Sequence, residues 1–385
     1  MKFSAQTRLP LIDALRFGAA AAVLLYHLTA TSTASRYWGA SPDEVFGPLN
    51  EVSRYGWLAV EVLFMISGFV ILLTAEGRGL RSFVASRAGR LFPAYWACVA
   101  LTALLQSLWH DGLRPGLLDT LLNLTMVQDL LDAQSVQVVF WTLLVELKFY
   151  LLVGLLLAAG PLTSRRALAL AVLWPVVGGL ADAFTFPGSG FLVFLLVPHY
   201  APYFSIGILL YLVHRDGLRW PTGLALAGAL AAGVVRVVGT AASATELQGV
   251  PVSPVVGTVG LLAGVGALWA AARLPLPGAP RLGAALAVGG ALTYPLYLVH
   301  MQFGYAAVDA LDGADGAVGP WGALALACAL SVALAAVIHY AVERPGSPRL
   351  RRLVLGSDAR SAAPAAARPA ADLTPAAAGP PSPAR

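Results

Sequence analysis

Runs of about twenty predominantly apolar residues, each long enough to cross a bilayer as a helix, recur along this chain with short loops between them. Within hydrocarbon every backbone N–H and C=O must be satisfied internally, so repeated runs of this length leave a helical bundle as the available architecture. Candidate spans fall at 11–31, 56–76, 92–109, 139–160, 166–186, 191–213, 221–239, 251–272, 283–306 and 317–341. Composition agrees: 58% of residues are hydrophobic and 12% charged, against about 25% charged in soluble domains, and the mean hydropathy is +0.74. The expected fold is an all-α polytopic transmembrane helical bundle of about ten spans in the cell membrane. One membrane domain covers residues 1–345, followed by a disordered cytoplasmic Ala/Pro-rich tail over 346–385. The segment 117–131 suits an interfacial or re-entrant piece, and the loop 32–55 is long enough only for a cap.

The arginines set an orientation. With the N-terminus inside, the inner loops hold Arg78, Arg81, Arg87, Arg90, Arg165, Arg215, Arg219, Arg273 and Arg281, and the residues after 342 add Arg344, Arg349, Arg351 and Arg352. The outer loops instead carry Asp111, Asp119, Asp129, Asp132, Asp309, Asp312 and Asp315. This is the positive-inside pattern, and it places both termini in the cytoplasm. It also accounts for the net charge of +5 without a nucleic-acid partner. Lys2, Arg8 and the following apolar run resemble a signal peptide, but Asp13, Arg16 and His27 interrupt that run. Cys98 and Cys328 both lie within apolar runs, which excludes a disulfide framework and a cysteine zinc site.

Ionisable side chains inside spans cost about 2.5–3.5 kcal/mol each on insertion scales, so each needs a reason. Arg16 and His27 are eleven residues apart on the first span. That spacing returns them to within about 20° of one face, roughly 16 Å apart along the axis. Asp13 shares the face and can pair with Arg16. Glu61 lies near the outer end of the second span, where an acid in apolar surroundings needs a partner. Ser67 and Gly68 below it suit close helix packing. On the fourth span Glu146 and Tyr150 share a face, whereas Lys148 points away from Glu146. The ninth span carries His300 towards its outer end. Counting residues from the helix ends puts His27, Glu61, Glu146 and His300 in one outer layer. A histidine beside a carboxylate suits general-base chemistry, and the same set suits a proton relay in a transporter or flippase. No histidine pair has metal-ligand spacing such as H-E-x-x-H, so no metal is expected.

The segment after the second span contains Arg87 and Arg90, which share a helical face and suit a phosphate. The positive-inside signal explains the same residues. No Gly-rich phosphate loop accompanies them, so an ATP- or NAD-binding domain is not expected.

Taken together these segments resemble the acyltransferase-3 family of integral membrane acyltransferases. The matching stretches are Leu9 to Arg16 leading to Tyr26-His27, then Glu61 to Phe69, Arg87 and Arg90 with Phe92 to Trp96, Trp141 to Tyr150, Tyr294 to His300, and Glu343-Arg344-Pro345. They occur in the family's order and span nearly the whole chain to residue 345. The resemblance implies transfer of an acyl group, commonly acetyl, from acyl-CoA as co-substrate to a hydroxyl, with no permanently bound cofactor. The implied partners are acyl-CoA, the bilayer and a hydroxyl-bearing acceptor: a sugar, a glycan or a glycosylated small molecule such as a macrolide. By analogy His27 is the essential histidine; it serves as general base, oriented by Glu146 or Glu61, or itself takes up the acyl group as an acyl-histidine. Arg16, Arg87 and Arg90 are linked to acyl-CoA, and Asp13, Tyr150 and His300 support them.

Overall fold

The computed structural model describes residues 9–275, 280–311 and 315–356. Lys2, Arg8, Asp312 and the stretch 357–385 lie outside the described residues. The bundle is helical throughout, with no strand among the described residues. Its long helices are α1 (Pro10–Thr29), α2 (Leu58–Ala75), α3 (Leu80–Leu108), α4 (Trp141–Ala158), α5 (Ser164–Ala183), a bent pair α6a (Ser189–Leu196) and α6b (Ala201–Asp216), α7 (Trp220–Gln248), α8 (Pro254–Arg273), α9 (Pro280–Asp309) and α10 (Gly319–Ile338). A further amphipathic helix, α11, runs from Arg344 to Leu355. Among the described residues nine helices are long and apolar enough to cross a membrane, or ten when the bent pair is taken as one span. The chain is a multi-pass membrane protein.

Four packings position the site: α1 against α9, α2 against α6b, α9 against α10, and α11 against α3. The α2–α6b crossing is tight. A Cβ on Gly68 would run into the Phe204 carbonyl, and one on Gly207 into the Met65 carbonyl. Each helix therefore presents a glycine to the other's backbone, the small-residue contact that brings membrane helices together.

Three expectations require correction. The third span begins at Leu80, not residue 92, so Arg87 and Arg90 stand on its first turns rather than in a loop. Polar side chains had hidden a helix that continues past the apolar stretch. The sixth span is not one rod but two helices bent by 49°. Between them Val197 adopts a left-handed conformation (φ 41°), and Pro198 and Pro202 withhold backbone donors from a continuous helix. Lastly, residues 346–355, read as the start of a disordered tail, are helical as part of α11. Pro345 is tolerated in a first helical turn, and the Ala/Pro-rich composition sets in only beyond residue 356. A π-helical turn at His339–Glu343 joins α10 to α11.

The connections around 32–57 and 109–140 close the end of the bundle at which α1 finishes. Short helices at Ser32–Trp38, Pro42–Phe46 and Pro48–Ser53 form the cap. It is pinned to the last turn of α1 by Trp38 Nε1 donating to the Leu28 carbonyl (2.7 Å) and Asn50 Nδ2 donating to that of Thr29 (2.9 Å). The 117–131 segment forms a short helix, Leu117–Asn123, and a 3-10 turn, Gln128–Leu131. It exposes Leu117, Leu118, Leu121 and Leu130 while burying Asn123 and Gln128.

Candidate active site

The α1–α9 packing sets His27 against His300, with ring centroids 5.0 Å apart. His27 Nδ1 lies 2.9 Å from the Val23 carbonyl oxygen and 3.2 Å from His300 Nε2, while His300 Nδ1 lies 2.8 Å from the Tyr297 carbonyl oxygen. A carbonyl only accepts, so each Nδ1 bears the proton. His300 Nε2 then holds a lone pair that shares the His27 Nδ1–H. His27 Nε2 remains as an unprotonated nitrogen, free to take a proton. The imidazole is thus oriented from behind by a second histidine, in the position a carboxylate occupies in a Ser-His-Asp triad. Thr31 Oγ1 and Tyr305 Oη both donate to the His27 carbonyl (2.8 and 3.0 Å), fixing the end of α1.

His27 lines a cavity of 340 Å³ beneath the cap, with Glu61, His199, Thr240 and the aromatic side chains of Tyr26, Trp57, Trp141, Tyr200, Tyr297 and Tyr305. The break between α6a and α6b faces this cavity through His199 and Tyr200, and His199 Nε2 lies 3.3 Å from Thr240 Oγ1. Irregular backbone at membrane depth is tolerated where it lines a cavity. Glu61 is 4% exposed. Its Oε2 is buried without a hydrogen-bond partner, and it forms no ion pair among the described residues. A buried carboxyl in that condition gains from any donor that enters the cavity.

Glu146 is not in this group. Its Oε1 accepts from Ser67 (2.8 Å) and Tyr150 (2.5 Å), and it lines a separate cavity of 260 Å³ with Arg16, Ser67, Arg87, Arg90, Tyr150 and Tyr294. His27 thus touches His300 and shares a cavity with Glu61, whereas Glu146, expected in the same layer, lies apart from them. The reason is local. Gln137, fully buried, donates to the Leu298 carbonyl (3.1 Å), and Thr142 donates to the Tyr297 hydroxyl (2.9 Å). The 109–140 connection thus enters the bundle, and α4 begins already at the level of His300. Residues counted down from its start lie deeper than a count from the membrane surface gives. Lys148 points elsewhere, donating to the Phe194 carbonyl at 2.6 Å.

Arg16 has Arg90, Glu146, Tyr150 and Asp13 as its charged and phenolic neighbours, and Asp13 packs at Gly290 of α9, where a Cβ would meet it. Arg90 is ion-paired with Glu343, which is 3% exposed. Glu343 also accepts from His339 Nδ1 at 2.9 Å. Glu343 and His339 were not among the expected site residues, nor were Ser67, Thr142 and Tyr297. Glu343 was legible as part of the Glu343-Arg344-Pro345 stretch and as an acid at the end of an otherwise apolar span, but neither signal named its partners. Arg87 sits apart from this pair, its guanidinium 5.9 Å from the Tyr150 ring centroid.

The cavities share walls. A third cavity of 590 Å³, between α3 and α11, has Ser86 and Arg90 in common with the Arg16 cavity. That cavity shares Arg16, Ser67, Glu146 and Tyr294 with a narrow space of 60 Å³, which in turn shares Val60 and Tyr297 with the His27 cavity. A line of adjoining cavities therefore runs from the arginine-rich end of the bundle to His27.

A family described as an acyltransferase domain matches residues 9–340. The chain is also 25% identical over 223 residues to ORF330 of Acidianus two-tailed virus, a protein provisionally named an acetyltransferase; the match covers 56% of this chain and 62% of that protein. The chain thus spans about three fifths of the curated relative it matches. No solved structure matches. A match from the first turn of α1 to the start of the π-helical turn takes in His27, Arg16, Glu61, Arg90, Glu146 and His300 alike, and the chain belongs to the acyltransferase-3 family.

Proposed function

We propose that this protein is a membrane O-acyltransferase that moves an acyl group, acetyl in the simplest case, from acyl-CoA to a hydroxyl of a carbohydrate or glycosylated secondary metabolite. The single observation that carries the reading is the line of cavities joining a cluster of arginines to a histidine whose Nε2 is free. Coenzyme A has phosphates at one end and its thioester at the far end of a long, thin arm. Arginines at one end, a narrow middle and a base at the other end suit a ligand of that shape.

In this reading the arginine end is cytoplasmic, following the loop arginines, and the donor enters there. Arg16 and Arg87 lie along its path, and Arg90 is held in place by Glu343. The acceptor enters the aromatic-lined cavity from the opposite face. Such a cavity, mostly apolar with a few polar groups, is typical of small-molecule sites. Glu61 accepts a hydrogen bond from a second acceptor hydroxyl, filling the partner it lacks within the protein.

The chemistry follows from the proton positions. His27 Nε2 takes the proton of the attacking hydroxyl as its oxygen bonds to the thioester carbonyl carbon. The His27 Nδ1–H bond to His300 strengthens as the ring becomes cationic. When the tetrahedral centre collapses, the C–S bond breaks, and the coenzyme A thiolate takes the proton from His27 Nε2. Glu146 acts elsewhere, binding Ser67 and Tyr150 beside Arg16 where the arm passes.

The test is thiol release by purified protein given acetyl-CoA and a panel of sugar and macrolide acceptors, with His27→Ala in parallel. Acceptor-dependent release lost in the variant supports the reading. A folded wild type that neither binds nor consumes acyl-CoA rejects it.

A further inference from the structure

The cavity between α3 and α11 has the volume of a small-molecule site, 590 Å³, and its charge is one-sided. Arg344, Arg351 and Arg352 line it. None of the three has a carboxylate partner among the described residues. The acid on its wall, Glu343, is already engaged by Arg90 and His339. Arg78, in the turn before α3, belongs to the same field. Burial, then the neighbouring Arg351 and Arg87 guanidiniums, hold it below the usual arginine range.

These like charges are held together by design of the contact. A Cβ on Gly89 of α3 would meet the Ser347 carbonyl oxygen at 2.8 Å and Arg351 Cβ at 3.3 Å, and one on Gly346 would meet Pro93 Cβ at 2.9 Å. α11 is therefore seated on α3 at two glycines. A basic segment that served only to set orientation would have no need of such seating. Guanidiniums gathered at fixed positions without a counter-charge repel one another, and an anion relieves that repulsion.

We propose that Arg344, Arg351 and Arg352, with Arg78 and Arg87 beside them, form a phosphomonoester site. It takes the 3′-phosphate at the nucleotide end of the acyl-CoA donor. This rests on the donor reading above and adds to it Arg78, Arg344, Arg351 and Arg352, which lie outside the Arg16, Arg87 and Arg90 set. Guanidiniums match phosphate oxygens in bidentate geometry. With the nucleotide here, the arm leaves past Ser86 and Arg90, the walls common to this cavity and the next. An anionic lipid headgroup offers the same phosphate chemistry, so the experiment separates the two.

The full chain in phosphatidylcholine nanodiscs is titrated with coenzyme A and with 3′-dephospho-coenzyme A. The wild type is expected to bind the dephospho form about tenfold or more weakly, the loss of charge-assisted hydrogen bonds. In Arg351→Gln that preference collapses towards unity, because coenzyme A weakens while the dephospho form hardly changes. Arg349→Gln, which removes the same charge from α11 outside the cavity lining, retains the full preference. A preference that survives in Arg351→Gln overturns the site and leaves the donor reading standing. Failure of both ligands to bind folded wild type overturns the donor reading and the site with it. The titration is repeated with phosphatidylglycerol in the nanodiscs, and the lipid retained on purification is counted by mass spectrometry. A wild type indifferent to the 3′-phosphate, whose retained phosphatidylglycerol is lost in Arg351→Gln, assigns the arginines to lipid and overturns the proposal.

Discussion

Replacing His300 with Phe removes the lone pair behind His27 while keeping a planar ring in a fully buried position. The loss can be estimated from the two contacts at His27 Nδ1. The Val23 carbonyl, at 2.9 Å, survives and still fixes the proton on Nδ1. Only the 3.2 Å contact with His300 Nε2 is lost. A hydrogen bond to a charged group contributes about 1.5–3 kcal/mol. With one of two acceptors retained, the lower part of that range applies, about 1.5–2 kcal/mol, or roughly 10- to 30-fold in rate. The interaction strengthens only as the imidazolium forms, so kcat falls and KM for acetyl-CoA stays within about twofold. Steady-state thiol release gives both numbers, and a matched melting curve checks the fold. His300→Asn, which keeps a polar acceptor, is expected to lose less. A kcat within experimental error of wild type would show that His300 does not act through His27. A loss as deep as in His27→Ala would make His300 a base in its own right. Either result refutes the arrangement in which one histidine orients the other.

Three further outcomes follow from the same geometry. Glu61→Gln keeps a hydrogen-bonding side chain but weakens its acceptor strength, so KM for the acceptor should rise about tenfold with KM for acetyl-CoA unmoved; a change in the donor constant alone would contradict the acceptor role. Gly68→Ala puts a methyl against the Phe204 carbonyl and should destabilise by about 1–3 kcal/mol. Gly266→Ala, with nothing within 4 Å, should be neutral or slightly stabilising, and thermal unfolding followed by size-exclusion fluorescence compares the two. Glu343→Ala strands Arg90, which is partly exposed, and should cost about 3 kcal/mol, the low end for breaking a buried pair; Arg90→Met with Glu343→Leu should recover part of it in the same melting assay.

Much of the bundle was legible because span length and loop charge are set by the bilayer itself. The apolar runs located every long helix, and the arginine bias gave a consistent alternation of loops. The misplacement of Glu146 has a simple cause: residue counting measures distance along the chain, and depth depends on where a helix starts. α4 starts below the rim because Gln137 and Thr142 are bonded to α9, and no local pattern around Glu146 reports that. α3 started early for the opposite reason, since a helix that leaves the hydrocarbon keeps its hydrogen bonds while its sequence turns polar. His27 and His300 could be assigned to the same end of the bundle. Their contact could not be read, because it depends on how α1 and α9 pack. The Arg90–Glu343 pair joins residues 253 apart in sequence, and only the seating of α11 on α3 brings them together. Gly68 was legible as a packing residue, although its partner, Gly207, was not.

In the proposed mechanism donor and acceptor reach His27 from opposite ends of the bundle. Inverted membrane vesicles test it directly, with labelled acetyl-CoA added to the bath facing the arginine end and acceptor enclosed in the lumen. Labelled acceptor is expected inside intact vesicles, and absent when the protein carries His27→Ala. Labelling that requires donor and acceptor on the same side of the membrane, or that persists in His27→Ala, would contradict it.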